Sequence, residues 1–194
     1  SMINYQSYAF LNKCMRDIMQ NRYAAVSVWL HWLMVLMFIA VYSTIELRVL
    51  FPRGSEDREL IKSAHFLLGL SVFVVVWFRI LARVVTTTPS RENYGKFQIY
   101  LSKFVFFALY ALMVIMPILG WSVVSAEGHI INILGFELPS LLDTNKELAH
   151  DIEEIHETLG KVGYGLIALH AIAALGHHYI KKDDTLKRML RFKE

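Results

Sequence analysis

Apolar and polar positions along this chain fall into long blocks. They show neither the alternation of a half-buried strand nor the one-sided stripe of a surface helix. Residues 26–45 carry no charge, and His31 is their only ionisable side chain apart from tyrosine. Residues 66–81 contain one charge, Arg79; residues 104–126 contain none; residues 162–180 contain histidines as their only ionisable groups apart from tyrosine. A hydrocarbon core takes about 20 apolar residues of helix, which each block approaches once His65 and its neighbours extend the second. The pattern predicts an all-α protein: an integral membrane four-helix bundle with no soluble catalytic domain. Residues 23–182 would form the bundle, after an N-terminal extension (1–22) and before a basic tail (183–194).

Composition agrees. The chain has 194 residues, 55% of them hydrophobic, and a mean hydropathy of +0.40, more apolar than a soluble domain of that length. Lys13, Arg16, Asp17 and Arg22 interrupt any apolar run before residue 26, so the N-terminal segment does not read as a secretory signal. Residues 3–20 mix aromatics with charge and read either as an amphipathic helix on the membrane surface or as a disordered tail. The stretch "LGFELPSLL" (134–142) reads as a short surface-lying helix. The only cysteine is Cys14. One cysteine rules out an internal disulfide, a cysteine-ligated iron–sulfur cluster and a C-x-x-C-H haem attachment.

Charge supplies orientation. With four spans, the N-terminus, the second connection and the C-terminus share one side. That side holds Lys13, Arg16, Arg22, Arg83, Arg91, Lys96 and the tail "KKDDTLKRMLRFKE". On the other side Arg48, Arg53, Arg58, Lys62 and Lys146 are outnumbered by acids, among them Glu127, Glu137, Asp143, Glu147, Asp151, Glu153 and Glu154. The positive-inside rule then puts both termini in the cytoplasm.

The chemistry lies in the histidines. His31 falls near the cytoplasmic start of the first span, His65 near the periplasmic start of the second and His156 near the periplasmic start of the fourth. His170 follows His156 by 14 residues, about 21 Å of rise and about 1400° of rotation. The two share a face within about 40°. One helix can therefore offer a ligand to each of two stacked sites, pairing His156 with His65 and His170 with His31. Two bis-histidine sites inside a four-helix bundle suit two non-covalent b-type haems. A lone membrane histidine is often only hydrogen-bonded to a neighbouring helix, but four at two matched depths fit that account poorly. Zinc usually takes four ligands, and each depth offers two. "HFLLG" and "HETLG" place Gly69 and Gly160 one turn after a histidine, where a haem edge would need a missing side chain. Arg79 follows His65 by 14 residues, at the cytoplasmic depth, and a buried arginine there calls for an anion.

These segments resemble the bacterial cytochrome b561 family of four-helix dihaem cytochromes. The residues that carry the resemblance are "VSVWLHWLM" (26–34), "ELRVLFPRG" (46–54), "SAHFLLG" (63–69), "MPILGW" (116–121) and "HETLGKVGYGLIALHAIAALGHHY" (156–179). The resemblance implies haem ligation by His31, His65, His156 and His170, and a quinone near "HHY", at His177 with Arg79. Arg79 would otherwise pair with a haem propionate. It also implies oxidation of periplasmic superoxide and reduction of ubiquinone. Lys161, Arg53 and Lys62, with Arg48 and Arg58, could steer that anion, although the periplasmic loops are acidic overall. The expected partners are the bilayer, ubiquinone, superoxide and a periplasmic protein, with no nucleic acid. The alternative is an electron-transfer subunit or anchor for a periplasmic hydrogenase or reductase.

Overall fold

The computed structural model describes residues 23–86, 95–133 and 135–190. The N-terminal segment and Arg91 lie outside the described residues. Helices α1 (Ala25–Arg48), α2 (Glu56–Val85), α3 (Lys96–Ala126) and α4 (Lys146–Tyr179) are joined by short connections. Strands β1 (Ile131–Ile133) and β2 (Phe136–Leu138) lie between α3 and α4, and a one-turn helix α5 (Lys187–Leu190) follows α4. Among the described residues, the four long helices are the ones long and apolar enough to cross a membrane. The chain is a multi-pass membrane protein, and its shortest span, α1, is 24 residues, about 36 Å of rise.

Polar groups fix the helix ends. The Ser55 hydroxyl caps α2 by accepting from Arg58 N at 3.3 Å, and three acids, Glu56, Asp57 and Glu59, follow in the first turn, where the helix dipole favours negative charge. Asn145 caps α4 by accepting from Leu148 N at 3.1 Å. The Arg58 guanidinium donates to the carbonyls of Arg48 (3.1 Å) and Phe51 (3.0 Å). It therefore closes the end of α1, which satisfies carbonyls the helix itself leaves open.

Consecutive helices pack directly: α1 on α2, α2 on α3, α3 on α4. A buried cluster of Met34, Val72, Val76 and Met113 joins the first three. The fourth helix differs, since its only buried residues are Ala149 and Gly163. It meets α1 and α2 through rings and hydroxyls. Tyr42 on α1 donates to the Gly160 carbonyl at 3.1 Å, Tyr164 donates to Glu46 at 2.6 Å, and the Tyr42 and Tyr164 rings lie 4.2 Å apart. Gly163 permits this approach, because a Cβ there would overlap the Tyr42 hydroxyl.

The stretch read as a surface helix folds otherwise. Residues 131–133 pair with residues 136–138 as two antiparallel strands, with Ile131 opposite Leu138. Asn132 accepts from Gly135 N at 3.0 Å, and Gly135 has φ +89°, a turn conformation that glycine adopts without strain. Pro139, which has no N–H to continue a helix, accepts from Trp121 Nε1 at 3.2 Å through its carbonyl. The hairpin is thus tied back to α3.

Candidate functional site

The four histidines come together as two pairs at opposite ends of the bundle. The His31 and His170 ring centroids are 6.2 Å apart, and those of His65 and His156 are 6.3 Å apart; both pairs are inclined at 78°. An imidazole–metal bond is about 2 Å, and an imidazole centroid lies a little over an ångström behind its nitrogen. Two imidazoles on opposite sides of one metal ion therefore have centroids roughly 6.3 Å apart. Both pairs match that separation. Among the described residues there is no cluster of three or more His, Cys, Asp or Glu that could hold a metal ion. That speaks against a tetrahedral zinc site and fits a cofactor whose own ring nitrogens supply the remaining ligands.

The rings are held from behind. His65 Nδ1 lies 3.0 Å from the Thr44 hydroxyl and 3.3 Å from the Val41 carbonyl, and Thr44 itself donates to Val41 O at 2.6 Å. Such contacts orient a ligating imidazole and fix which nitrogen carries the proton. The Nδ1 of His156 is buried, and the Met116 backbone of α3 is the hydrogen-bonding group that faces the ring. Gly120 on α3 stands over that ring: a Cβ there would lie 3.4 Å from His156 Cε1. The helix without a histidine thus shapes the site with a glycine.

The glycines singled out from the sequence behave differently from each other. A Cβ at Gly69 would meet no atom within 4 Å, as expected for a face kept clear. One at Gly160 would meet Met116 Cε at 3.7 Å, so Gly160 serves helix packing. Gly160 faces α3 through Met116, a neighbour the spacing within α4 does not reveal.

At the other pair, Arg79 Nη2 lies 3.0 Å from His31 Nδ1 and Nη1 lies 3.5 Å from the Ser27 carbonyl. Its Cζ is 6.0 Å from the Tyr110 ring centroid. The face-and-depth argument from His65 had placed Arg79 at this level. Phe106 packs on His170 with ring centroids 5.8 Å apart. Beyond Tyr179 the chain turns back at Lys182, whose φ is +55°. His177 Nδ1 and Asp183 Oδ2 are 2.5 Å apart. Burial opposes the Asp183 charge, but hydrogen bonds from His177 and Thr185 outweigh it and hold the carboxyl at about 2. Trp32 donates to the Met189 carbonyl at 2.6 Å, which fastens α5 to α1. Asp183 was not singled out from the sequence, because only the turn at Lys182 brings it to His177.

The basic residues are spread out. Lys62 approaches Glu127 at 3.9 Å. Arg53 and Lys161 are exposed, and Arg58 is occupied by backbone carbonyls.

Residues 22–192 match the family described as prokaryotic cytochrome b561. The chain belongs to this family. Among its relatives are "Cytochrome b561 homolog 1" of Escherichia coli (strain K12), 34% identical over 171 residues (88% of this chain, 97% of the relative). "Probable superoxide oxidase CybB" of Yersinia pestis is 32% identical over 173 residues (89% and 97%). "Cytochrome b561 homolog 2" of the same Escherichia coli strain is 28% identical over 172 residues (88% and 92%). The protein is therefore a membrane electron-transfer cytochrome, and membership implies binding of b-type haem.

Proposed function

We propose that the chain is a superoxide:ubiquinone oxidoreductase holding two haems b, one between His65 and His156 and one between His31 and His170. The observation that carries this reading is the spacing of the two imidazole pairs, 6.3 and 6.2 Å. Bound haem supplies reversible one-electron chemistry at each site. With two histidines available to each haem, the pairs His65–His156 and His31–His170 would hold the groups from both sides, and the donor would react by electron transfer alone. At the periplasmic end Arg53, Lys62 and Lys161 attract an anionic donor. At the cytoplasmic end His177 hydrogen-bonds a ubiquinone carbonyl and passes it protons, with Arg79 at hand for an anionic oxygen or a propionate. Two superoxide anions become two dioxygen molecules, and one ubiquinone takes their two electrons and two cytoplasmic protons to give ubiquinol. The superoxide assignment draws on the Yersinia pestis relative, which is named a probable superoxide oxidase. The orientation draws on the charge bias and places both termini in the cytoplasm of an inner-membrane protein.

Rapid mixing of the oxidised, purified protein with superoxide, followed optically and then by addition of ubiquinone, tests the assignment. Reduced b-type bands should form near the encounter rate and disappear when quinone arrives. Slow reduction of a protein with normal haem spectra would overturn the superoxide step. A His177→Ala variant that reduces quinone at an unchanged rate would overturn the quinone site.

One observation favours a second reading. Ile130 (75% exposed) and Phe136 (78% exposed) stand out from the hairpin on the periplasmic side, and exposed apolar groups of that kind serve protein contacts. In that reading the chain is the membrane electron-transfer subunit of a periplasmic redox protein. Co-purification of such a protein, lost on Phe136→Ser, would identify it.

A further inference from the structure

The two imidazole pairs share the same spacing and inclination but sit in different electrostatic surroundings. Against His31 lies a full positive charge, the half-buried Arg79 guanidinium at 3.0 Å. Among the described residues no carboxylate pairs with it. Its neighbours are the Ser27 carbonyl, the ring and hydroxyl of Tyr110, and Tyr23, with Arg83 close enough to add to the positive field. Against His65 lie only neutral groups, Thr44 Oγ1 and the Val41 carbonyl. The charged residues nearest that pair are Arg48 and Glu157, of opposite sign, and neither hydrogen-bonds a ligand ring.

We propose that Arg79 sets the direction of electron flow, by making the His31–His170 site the stronger electron acceptor of the two. This rests on the two-haem reading above. Adding an electron to iron adds one negative charge, which a fixed cation nearby stabilises. Charges within about 10 Å at an effective dielectric of about 20 change an equilibrium by more than tenfold. At the other site the Val41 carbonyl accepts the Nδ1 proton, which makes the imidazole a stronger donor and favours the oxidised metal. Both influences drive the electron from the His65–His156 site to the His31–His170 site.

Either position of the guanidinium gives the same sign. A guanidinium only donates hydrogen bonds, so His31 Nδ1 is the acceptor in the contact seen here. With iron on Nε2, Nδ1 carries the proton, and the guanidinium turns to the Ser27 carbonyl or to a propionate. If it pairs with a propionate, removing Arg79 leaves an uncompensated anion beside the iron. Loss of Arg79 therefore lowers that site's affinity for an electron in both cases.

Optical redox titration of the purified holoprotein tests the proposal, using the unaltered chain, Arg79→Gln, Arg79→Lys and the single-site variants His156→Ala and His170→Ala. The unaltered chain should titrate in two waves. His156→Ala, which keeps the His31–His170 site, should retain the higher one. Arg79→Gln should lower that wave at least tenfold in its reduction equilibrium, about 59 mV for one electron, and leave the other in place. Arg79→Lys should stay close to the unaltered chain. An Arg79→Gln protein with two haems and unchanged waves would overturn the proposal. So would a lower midpoint in His156→Ala than in His170→Ala, a comparison that decides the matter even if Arg79→Gln fails to load haem. Fewer than two haems in the unaltered chain would instead overturn the two-site reading, and the proposal with it.

Discussion

Gly120 offers the sharpest test of the haem assignment, because it lies on the helix that supplies no ligand. A Cβ at this position would be 3.4 Å from His156 Cε1 and 3.8 Å from Nδ1. Those are ordinary contacts, so Gly120→Ala should leave the ring in place, and alanine is favoured over glycine in a helix by about 1 kcal/mol. Valine adds γ-carbons about 1.5 Å beyond Cβ, and its χ1 is nearly fixed in a helix. One of them then presses into the imidazole. Overpacking of this kind costs about 1–3 kcal/mol, which corresponds to roughly five- to hundredfold weaker binding at that site. Haem-to-protein ratio by the pyridine haemochrome assay, on detergent-purified protein, should read two for Gly120→Ala and fall toward one for Gly120→Val. The remaining haem should keep its low-spin spectrum, since the His31–His170 pair is untouched. A Gly120→Val protein with two haems and unaltered spectra would refute the reasoning.

Three other outcomes follow from single contacts. Both imidazole pairs are inclined at 78°, an arrangement that leaves two iron d-orbitals nearly equal in energy; the oxidised protein should show strongly anisotropic low-spin electron paramagnetic resonance signals, and two rhombic signals typical of parallel rings would contradict the geometry. Tyr42→Phe removes the bond to the Gly160 carbonyl, a loss of about 1 kcal/mol, and should lower the melting temperature by about 2–4 °C; an unchanged melting temperature would show the bond to be inert. The Asp183 carboxyl is held at about 2, below its ordinary 3.8, so its contribution is complete above pH 3.8 and is lost as the pH falls through 2; Asp183→Asn should expose residues 181–187 to proteolysis at pH 7, and equal cleavage of variant and unaltered chain would refute the clamp.

Depth and face could be read directly from the chain. His156 and His170 sit 14 residues apart on one helix, and helical geometry alone assigns each to its partner. The apolar blocks located all four helices, but α4 begins at Lys146, well before its apolar block. There the Asn145 cap and a charged first stretch carry the helix past the membrane. What could not be read depends on neighbours across helices. Gly120 matters only because His156 lies against it, and no periodicity within α3 reveals that. Thr44 is hidden in the same way, as one hydroxyl in an apolar block that happens to face His65. The hairpin was missed because three-residue strands are too short to show an alternating pattern, and the turn at Gly135 gave the only local signal.

The division of labour among the helices explains why so few polar side chains suffice. One rigid helix, α4, carries one histidine of each pair and so fixes the spacing of the pairs along the bundle, about 21 Å of helix rise. Because its backbone bonds are satisfied internally, that spacing survives in lipid, where a loop could not hold it. The other two histidines come from different helices, His31 from α1 and His65 from α2, which pack directly on each other and share the core of Met34, Val72 and Val76. Each site thus closes only when α4 docks against that pair. The docking contacts are Tyr42, Tyr164 and Gly163, with little buried apolar area on α4 itself. On the two-haem proposal, a helix so lightly packed against α1 and α2 gains much of its hold on them through the bound groups. Binding at the two pairs and closure of the bundle are then linked equilibria, and removing one histidine should loosen the fold as well as empty a site.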